Sequence, residues 1–209
     1  SLIAIHDAKT FAIGAPDREW MTYGGVRDLS ANVKKSLHGF GVGRGDRVAI
    51  VLPNGPEMAT AFVTIAQTAT TAPLNPAYRQ EEYEFYLEDL KAKVIVVADD
   101  YEGPAVLAAE KFGVAVLRLS FNNSDPAGCF TLSAGGKIGD CDNAIPTEDD
   151  VALILHTSGT TSRPKIVPLL HSNLFASANN VRTSLELTKD DRCLNVMPMF
   201  HIHGLIAAV

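Results

Sequence analysis

Residues 151–167 read VALILHTSGTTSRPKIV. The stretch begins with a continuous apolar run, Val151 to Leu155, which is typical of a buried strand. Hydroxyl side chains around one glycine come next, and Arg163 and Lys165 follow closely. Glycine lets backbone amides approach an anion, hydroxyl groups rotate to donate hydrogen bonds, and lysine adds a compact positive charge. The pattern predicts a polar loop that holds the phosphates of a nucleotide.

The same residue types also occur in ordinary loops and linkers. A linker seldom follows so apolar a strand, which favours a binding loop. The P-loop pattern does not fit, because it requires a second glycine before the lysine and Arg163-Pro164 stands there. From spacing alone, the segment is a candidate phosphate loop and nothing narrower.

Composition sets broad limits on function. The chain has 209 residues, of which 46% are hydrophobic and 20% charged, as in an ordinary globular protein. A net charge of −6 argues against a general nucleic-acid or anionic-membrane surface. The three cysteines are odd in number and lack CxxC spacing, which favours reduced thiols inside a cell. No apolar run reaches the roughly 18 residues of a membrane helix, so we expect no integral membrane contact.

Strand and helix patterns alternate along the chain. Thr22 is a candidate N-cap and Gly41 a candidate C-cap of the first helix. The alternation predicts an α/β fold, with mostly parallel sheets flanked by helices. The further predicted helices are 58–69, 80–90, 104–112 and 172–187, the last capped by Ser172; the predicted strands are 47–52, a short one within 70–78, 94–98, 114–119, 151–155 and 193–197.

The segment Phe121 to Asp150 is rich in Asn, Gly, Pro and acidic residues. We interpret it as an exposed connection with a possible subdomain boundary. Its carboxylates could suggest a metal site, but a solvated surface is the commoner explanation, and we predict no metal site there.

A second informative stretch, Pro198-Met-Phe-His-Ile-His-Gly204, directly follows the predicted strand 193–197. If that strand and 151–155 are parallel neighbours, the loops after both open at the carboxyl edge of one sheet, where open α/β folds bind ligands. His201 and His203 have a spacing that some metal sites use, although a structural hydrogen bond is the more common role.

The motif HTSGTTSRPK resembles the phosphate-binding loop of the adenylate-forming (AMP-binding) superfamily, which includes acyl-CoA synthetases, firefly luciferase and peptide-synthetase adenylation domains. PMFHIHG is similar to a second motif of acyl-CoA synthetases, and RGDRVAIVLPN and APLNPAY agree with the family in order. Ser162 and Ile166 stand where the commonest form has glycine. The TTSRPK form resembles oxalate-CoA ligases, with 4-coumarate-CoA ligase-like enzymes second.

The resemblance implies a ligase that joins a small carboxylic acid to ATP with Mg²⁺, and then transfers the acyl group to coenzyme A. It implies that Lys165 contacts the leaving pyrophosphate and that His201 lines the acyl pocket near the α-phosphate. It assigns the remaining phosphate contacts to Thr157, Ser158, Gly159, Thr160, Thr161 and Ser162.

Both ends look cut, and the resemblance implies that residues 1–209 are a partial N-terminal AMP-binding domain without the C-terminal domain of the family. We expect this segment alone to be inactive and the protein to be cytoplasmic, or peroxisomal in a eukaryote. Two alternatives stay open: a non-catalytic nucleotide-binding or assembly module, and an adenylation domain whose acceptor is a carrier protein or, as in luciferase, oxygen.

Overall fold

The computed structural model of the chain describes residues 6–157 and 164–206. Strands and helices alternate through most of this part of the chain. The helices are α1 Tyr23–Phe40, α2 Pro56–Ile65, α3 Gln80–Leu90, α4 Pro104–Phe112, α5 His171–Ser184 and α6 Ile202–Ile206. The strands are β1 Phe11–Ile13, β2 Met21–Thr22, β3 Arg47–Val51, β4 Thr70–Pro73, β5 Val94–Ala98, β6 Ala115–Ser120, β7 Thr131–Ser133, β8 Val151–Thr157 and β9 Lys165–Leu170.

Local capping signals set the ends of α1, as predicted. The Thr22 hydroxyl accepts a hydrogen bond from the Gly25 amide at 3.2 Å. Gly41 closes the helix with a φ of 85°, a conformation that favours glycine. A side chain at this position would also collide with the carbonyl oxygen of Gly139, so only glycine fits the close approach of the two segments.

The main sheet contains seven strands within the described residues, in the order β7-β6-β5-β3-β4-β8-β9. The five central strands are parallel, and β7 and β9 join the two edges antiparallel. The prediction of a mostly parallel sheet flanked by helices is confirmed. Strands β1 and β2 form a separate antiparallel pair.

Two hydrophobic clusters cover opposite faces of the sheet. On the α1/α2 face, residues such as Leu37 and Phe62 pack with Val48, Ile50 and other strand residues. On the α3/α4 face, Leu87 and Ala108 belong to a cluster with Ala49 and Val51. Burial on both faces explains why the central strands show continuous apolar runs instead of alternation.

Strand β8 joins the sheet through a short contact with β4. The parallel ladder pairs Thr71 with Leu153. Two buried hydroxyls add to it: Thr70 Oγ1 donates to the Val151 carbonyl and Thr71 Oγ1 to the Ala152 carbonyl, each at 2.7 Å. Because a buried carbonyl without a partner is costly, these side chains help to fix β8 beside β4.

Several sequence predictions were wrong in detail. Residues 193–197 form no strand, and Leu194 and Val196 are 85% and 74% exposed. An apolar run shows a preference for burial but does not specify a partner strand, and none pairs with this run among the described residues.

Helix α5 ends at Ser184 instead of residue 187. Ser172 lies inside its first turn, and the side chain of Asn173 accepts from the Leu170 amide instead.

The segment 121–150 was expected to be an exposed connection, which is wrong for its middle. Residues Thr131–Ser133 form β7, and Phe130 and Leu132 are buried. Strand β7 pairs with β6, so this part of the segment extends the sheet. The subdomain boundary stays a prediction.

Acidic residues at the end of this segment are paired with cations. The Asp150 carboxylate lies 2.9 Å from the Arg44 guanidinium. Hydrogen bonds from the Thr147 backbone and from Arg44 lower the pKa of Asp150 to about 2. Asp140 pairs in the same way with Lys137 at 2.7 Å. The partly buried Asp150 contact indicates a structural role, whereas the pair of Asp140 and Lys137 is exposed and contributes little to stability. Separately, no helix in the described part of the chain is long and apolar enough to cross a membrane.

The β4–β8 contact gives a first prediction. Replacing Thr71 with Val keeps the shape of the side chain but leaves the buried Ala152 carbonyl without its side-chain donor. We expect the free energy of unfolding to fall by about 1–3 kcal/mol in urea denaturation. Thr64→Val is the matched control, because this equally buried hydroxyl donates at 2.7 Å to Thr60 O within α2, whose carbonyl is already in the helix ladder. Equal losses in the two variants would contradict the special role of Thr71.

Candidate functional site

The predicted phosphate segment connects two paired strands. Strands β8 and β9 are antiparallel, and Thr157 is the register partner of Lys165. Both ends of the segment are therefore held side by side. The predicted contacts Ser158, Gly159, Thr160, Thr161 and Ser162 lie outside the described residues.

Lys165 begins β9, and its side chain is exposed. It makes no ion pair within residues 6–157 and 164–206. No described carboxylate neutralises its ammonium group, which suits a residue that meets an anionic ligand.

Ile166 stands where the commonest family form has glycine, and in the structure it is part of strand β9. It pairs with His156 in the β8–β9 ladder. It is partly buried and packs against the cluster on the α3/α4 face. Ile166 is thus a packed strand residue that follows the polar segment.

Side-chain alternation assigns Thr157 to one face of the sheet. Leu153 and Leu155 belong to the cluster on the α1/α2 face, whereas Ile154 packs on the α3/α4 face. Because successive side chains in a strand point to opposite faces, Thr157 falls on the α1/α2 face with Leu153 and Leu155. His156 falls on the other face.

The turn that carries His201 is anchored on the same α1/α2 face. Met199 and Leu205 are 6% and 1% exposed and belong to the cluster on that face. The side chain of His201 is exposed, and the turn is closed by a bond from the His201 amide to the Pro198 carbonyl at 3.2 Å. A side chain at position 204 would approach Pro198 O to 2.4 Å, so the tight turn requires Gly204.

Asn54 connects this turn to the sheet. It lies in the connection that follows β3, at the carboxyl edge of the parallel strands. Its Nδ2 donates to the Met197 carbonyl at 3.0 Å, and its Oδ1 accepts from the Met199 amide at 2.9 Å. The His201 turn therefore reaches the carboxyl edge through Asn54, and not through a strand at 193–197. Strand β8 is parallel to β4 and β3, so Thr157 lies at that edge too.

Sequence reasoning missed a polar contact directly beside Thr157. His156 Nε2 lies 3.0 Å from Asp89 Oδ2 on α3, and the His156 side chain is only 6% exposed. Burial lowers the pKa of His156, and Asp89 partly opposes that shift, so the ring is neutral near pH 7 and donates to the carboxylate. The ring also meets the edge of Tyr86 at a centroid distance of 4.6 Å, and Tyr86 stacks on Tyr78 at 4.9 Å.

Two tyrosines of α3 differ in their surroundings. Tyr83 is fully buried, whereas Tyr86 is only partly buried and contacts His156. The available signal was the histidine directly before Thr157, within the apolar strand itself.

The chain is similar in sequence to a known enzyme family and to proteins within it. The family model described as "AMP-binding enzyme" matches residues 3–209. The chain belongs to the AMP-binding enzyme family. Oxalate–CoA ligase from Arabidopsis thaliana is 37% identical over 194 residues, covering 90% of this chain and 37% of that protein. Oxalate–CoA ligase from Saccharomyces cerevisiae is 37% identical over 209 residues, covering 89% of this chain and 38% of that protein.

Solved structures of the family share the fold. The crystal structure of ATP-bound MatB from Rhodopseudomonas palustris has a TM-score of 0.80 and 27% sequence identity, covering 97% of this chain and 40% of that one. The chain thus spans well under half the length of the relatives that it matches. The likeness agrees with the predicted resemblance to this family, while the individual roles of Thr157, Lys165 and His201 stay predictions.

The Asn54 contacts give a second prediction. Asn54→Ala removes both hydrogen bonds that hold the His201 turn, so peptides covering residues 197–203 should exchange backbone hydrogen for deuterium faster. Because Asn54 is exposed, we expect a stability loss of only about 1 kcal/mol. The control is Asn123→Ala, an exposed asparagine in the 121–150 segment. Unchanged exchange at 197–203 in Asn54→Ala would show that the turn is held by its apolar anchors alone.

Proposed function

We propose that the protein containing this chain is an acid–thiol ligase, which activates a carboxylic acid with ATP and transfers the acyl group to coenzyme A. The observation that carries the proposal is the β8–β9 hairpin, which holds Thr157 beside Lys165 at the carboxyl edge of the sheet, where Lys165 has no ion-pair partner among the described residues. Family membership and relatives named as CoA ligases support it. Those names favour coenzyme A over a carrier protein as the acceptor.

The first step joins two anions. A carboxylate oxygen of the acid attacks the α-phosphorus of ATP, and the bond to pyrophosphate breaks to give acyl-AMP. Negative charge builds up on the phosphates, so catalysis depends on positioning and on electrostatic stabilisation. ATP arrives as its magnesium complex, and Mg²⁺ neutralises part of that charge. In the second step the CoA thiol attacks the acyl carbonyl, and AMP leaves.

In this proposal the phosphates of ATP are bound at and between the facing ends of β8 and β9. Lys165 stabilises the departing pyrophosphate through its charge, and His201 borders the acid near the α-phosphate. The β- and γ-phosphates accept hydrogen bonds from the hairpin residues Thr157, Ser158, Gly159, Thr160, Thr161 and Ser162.

Adenylation rates test these assignments. Lys165→Ala or Thr160→Ala in the full-length enzyme should slow ATP–pyrophosphate exchange by about two to three decades, the cost of one transition-state donor or cation. Lys165→Arg should retain more activity because it keeps the charge. The matched control is Lys35→Ala, an exposed lysine of α1. Near-normal exchange in both alanine variants would refute the phosphate assignment.

We further propose oxalate as the acid. The support is the 37% identity to two oxalate–CoA ligases and the serine at position 162, which resembles that branch. We also propose that the enzyme acts in the cytoplasm, or in a peroxisome if the source is a eukaryote.

A substrate panel tests this choice. Pyrophosphate release should be fastest with oxalate when oxalate, malonate, short fatty acids and coumarate are compared at equal concentration. CoA-dependent thioester formation should follow with the same acid. Faster release with coumarate or a fatty acid would overturn the assignment of oxalate and leave the ligase chemistry intact. No release with any acid would contradict the ligase itself.

A further inference from the structure

We propose that His156, Asp89 and Tyr86 form a support that positions the β8–β9 hairpin for its ligand. We name these three residues the hairpin support. The inference rests on the proposed function, because it assumes that this hairpin holds the phosphates of ATP. None of the three residues touches the substrate in this account, so they act as positioning residues.

The hairpin needs such a support because it extends beyond its attachment to the parallel sheet. The ladder between β4 and β8 pairs Thr71 with Leu153, but β8 continues to Thr157. Over these last residues the ladder partner of β8 is β9, which belongs to the same hairpin. The position and orientation of this end of the hairpin therefore depend on side-chain contacts with the rest of the fold.

His156 makes one such contact next to the predicted phosphate segment. It directly precedes Thr157 and lies on the opposite face of the strand. Its imidazole donates to Asp89 of α3 at 3.0 Å, and its side chain is 6% exposed. A buried imidazole without a hydrogen-bond partner costs free energy. The bond to Asp89 therefore stabilises the hairpin in its position against α3.

Tyr86 limits the position of the imidazole from another direction. Its ring meets His156 edge to face at 4.6 Å. Tyr86 is fixed in turn by Tyr78, through stacking at 4.9 Å and a hydroxyl–hydroxyl contact at 3.3 Å. Tyr78 follows β4, so the contacts connect β8 to α3 and to the connection after the neighbouring strand.

The second strand of the hairpin is held on the same face. Ile166 pairs with His156 across the ladder and packs against the α3/α4 cluster. Both strands of the hairpin therefore contact the α3/α4 face, at His156 before the polar segment and at Ile166 after it. The α1/α2 face, which carries Thr157, is left for the ligand.

Hydrogen–deuterium exchange and kinetics of the full-length protein test the support. His156→Leu and Asp89→Ala should speed exchange in peptides covering residues 153–169 and leave β5 peptides unchanged. KM for ATP should rise about tenfold, the equivalent of about 1.4 kcal/mol, with KM for the acid unchanged. His156→Gln should restore most of both, because its Nε2 donor can reach Asp89. Glu88→Ala, an exposed neighbour on α3, is the control.

Two results would overturn the inference. One is His156→Leu that matches the wild type in both exchange and KM for ATP. The other is His156→Gln that is as defective as His156→Leu, because the bond to Asp89 would then not be the operative contact. If the wild-type protein showed no ATP–pyrophosphate exchange activity with any acid, the proposed function would fail, and the deuterium data alone would decide whether the support holds the hairpin.

Discussion

The parallel attachment of β8 to β4 is the constraint on which the rest of this structure depends. One ladder pair, Thr71 with Leu153, and the two buried hydroxyls of Thr70 and Thr71 carry it. Because β3, β4 and β8 run in one direction, the segments that follow β3 and β8 emerge at the same edge. That edge is where open α/β sheets bind ligands, and Thr157 and the turn of His201 lie there.

The two faces of the sheet have different roles at this edge. Alternation along β8 assigns Thr157 to the α1/α2 face, and the turn of His201 is anchored on the same face by Met199 and Leu205. On the α3/α4 face, His156 and Ile166 pack the hairpin onto the body of the fold. Alternation along β8 produces this division, because adjacent residues of one strand serve opposite faces. The strands on either side of the predicted phosphate segment are thereby attached to the packed body of the fold.

Sequence alone predicted the elements whose signals are local. The capped helix α1 and the helices α3 and α4 were placed correctly, because Thr22, Gly41 and Pro104 are signals within a few residues of the helix ends. The strand predicted at 193–197 was wrong, because apolar composition does not identify a pairing partner. The shared edge of the two motifs was anticipated, but by an incorrect route, since Asn54 provides the connection.

No sequence signal identified the partners in the long-range polar contacts. Asn54 and Met197 are 143 residues apart, and His156 and Asp89 are 67 residues apart. Neither pair belongs to a spacing pattern, and each depends on how the sheet orders its strands. The resemblance to a family identified the residues of the candidate site, whereas the contacts that hold those residues in place required the fold.

A crystal structure of the full-length protein with magnesium ATP would show where the phosphates bind. We expect the β- and γ-phosphates to lie within hydrogen-bond distance of the hairpin between Thr157 and Lys165, on the α1/α2 face, with the α-phosphate toward the turn of His201. Phosphates bound at the amino edge of the sheet, or on the α3/α4 face beside His156, would contradict this expectation.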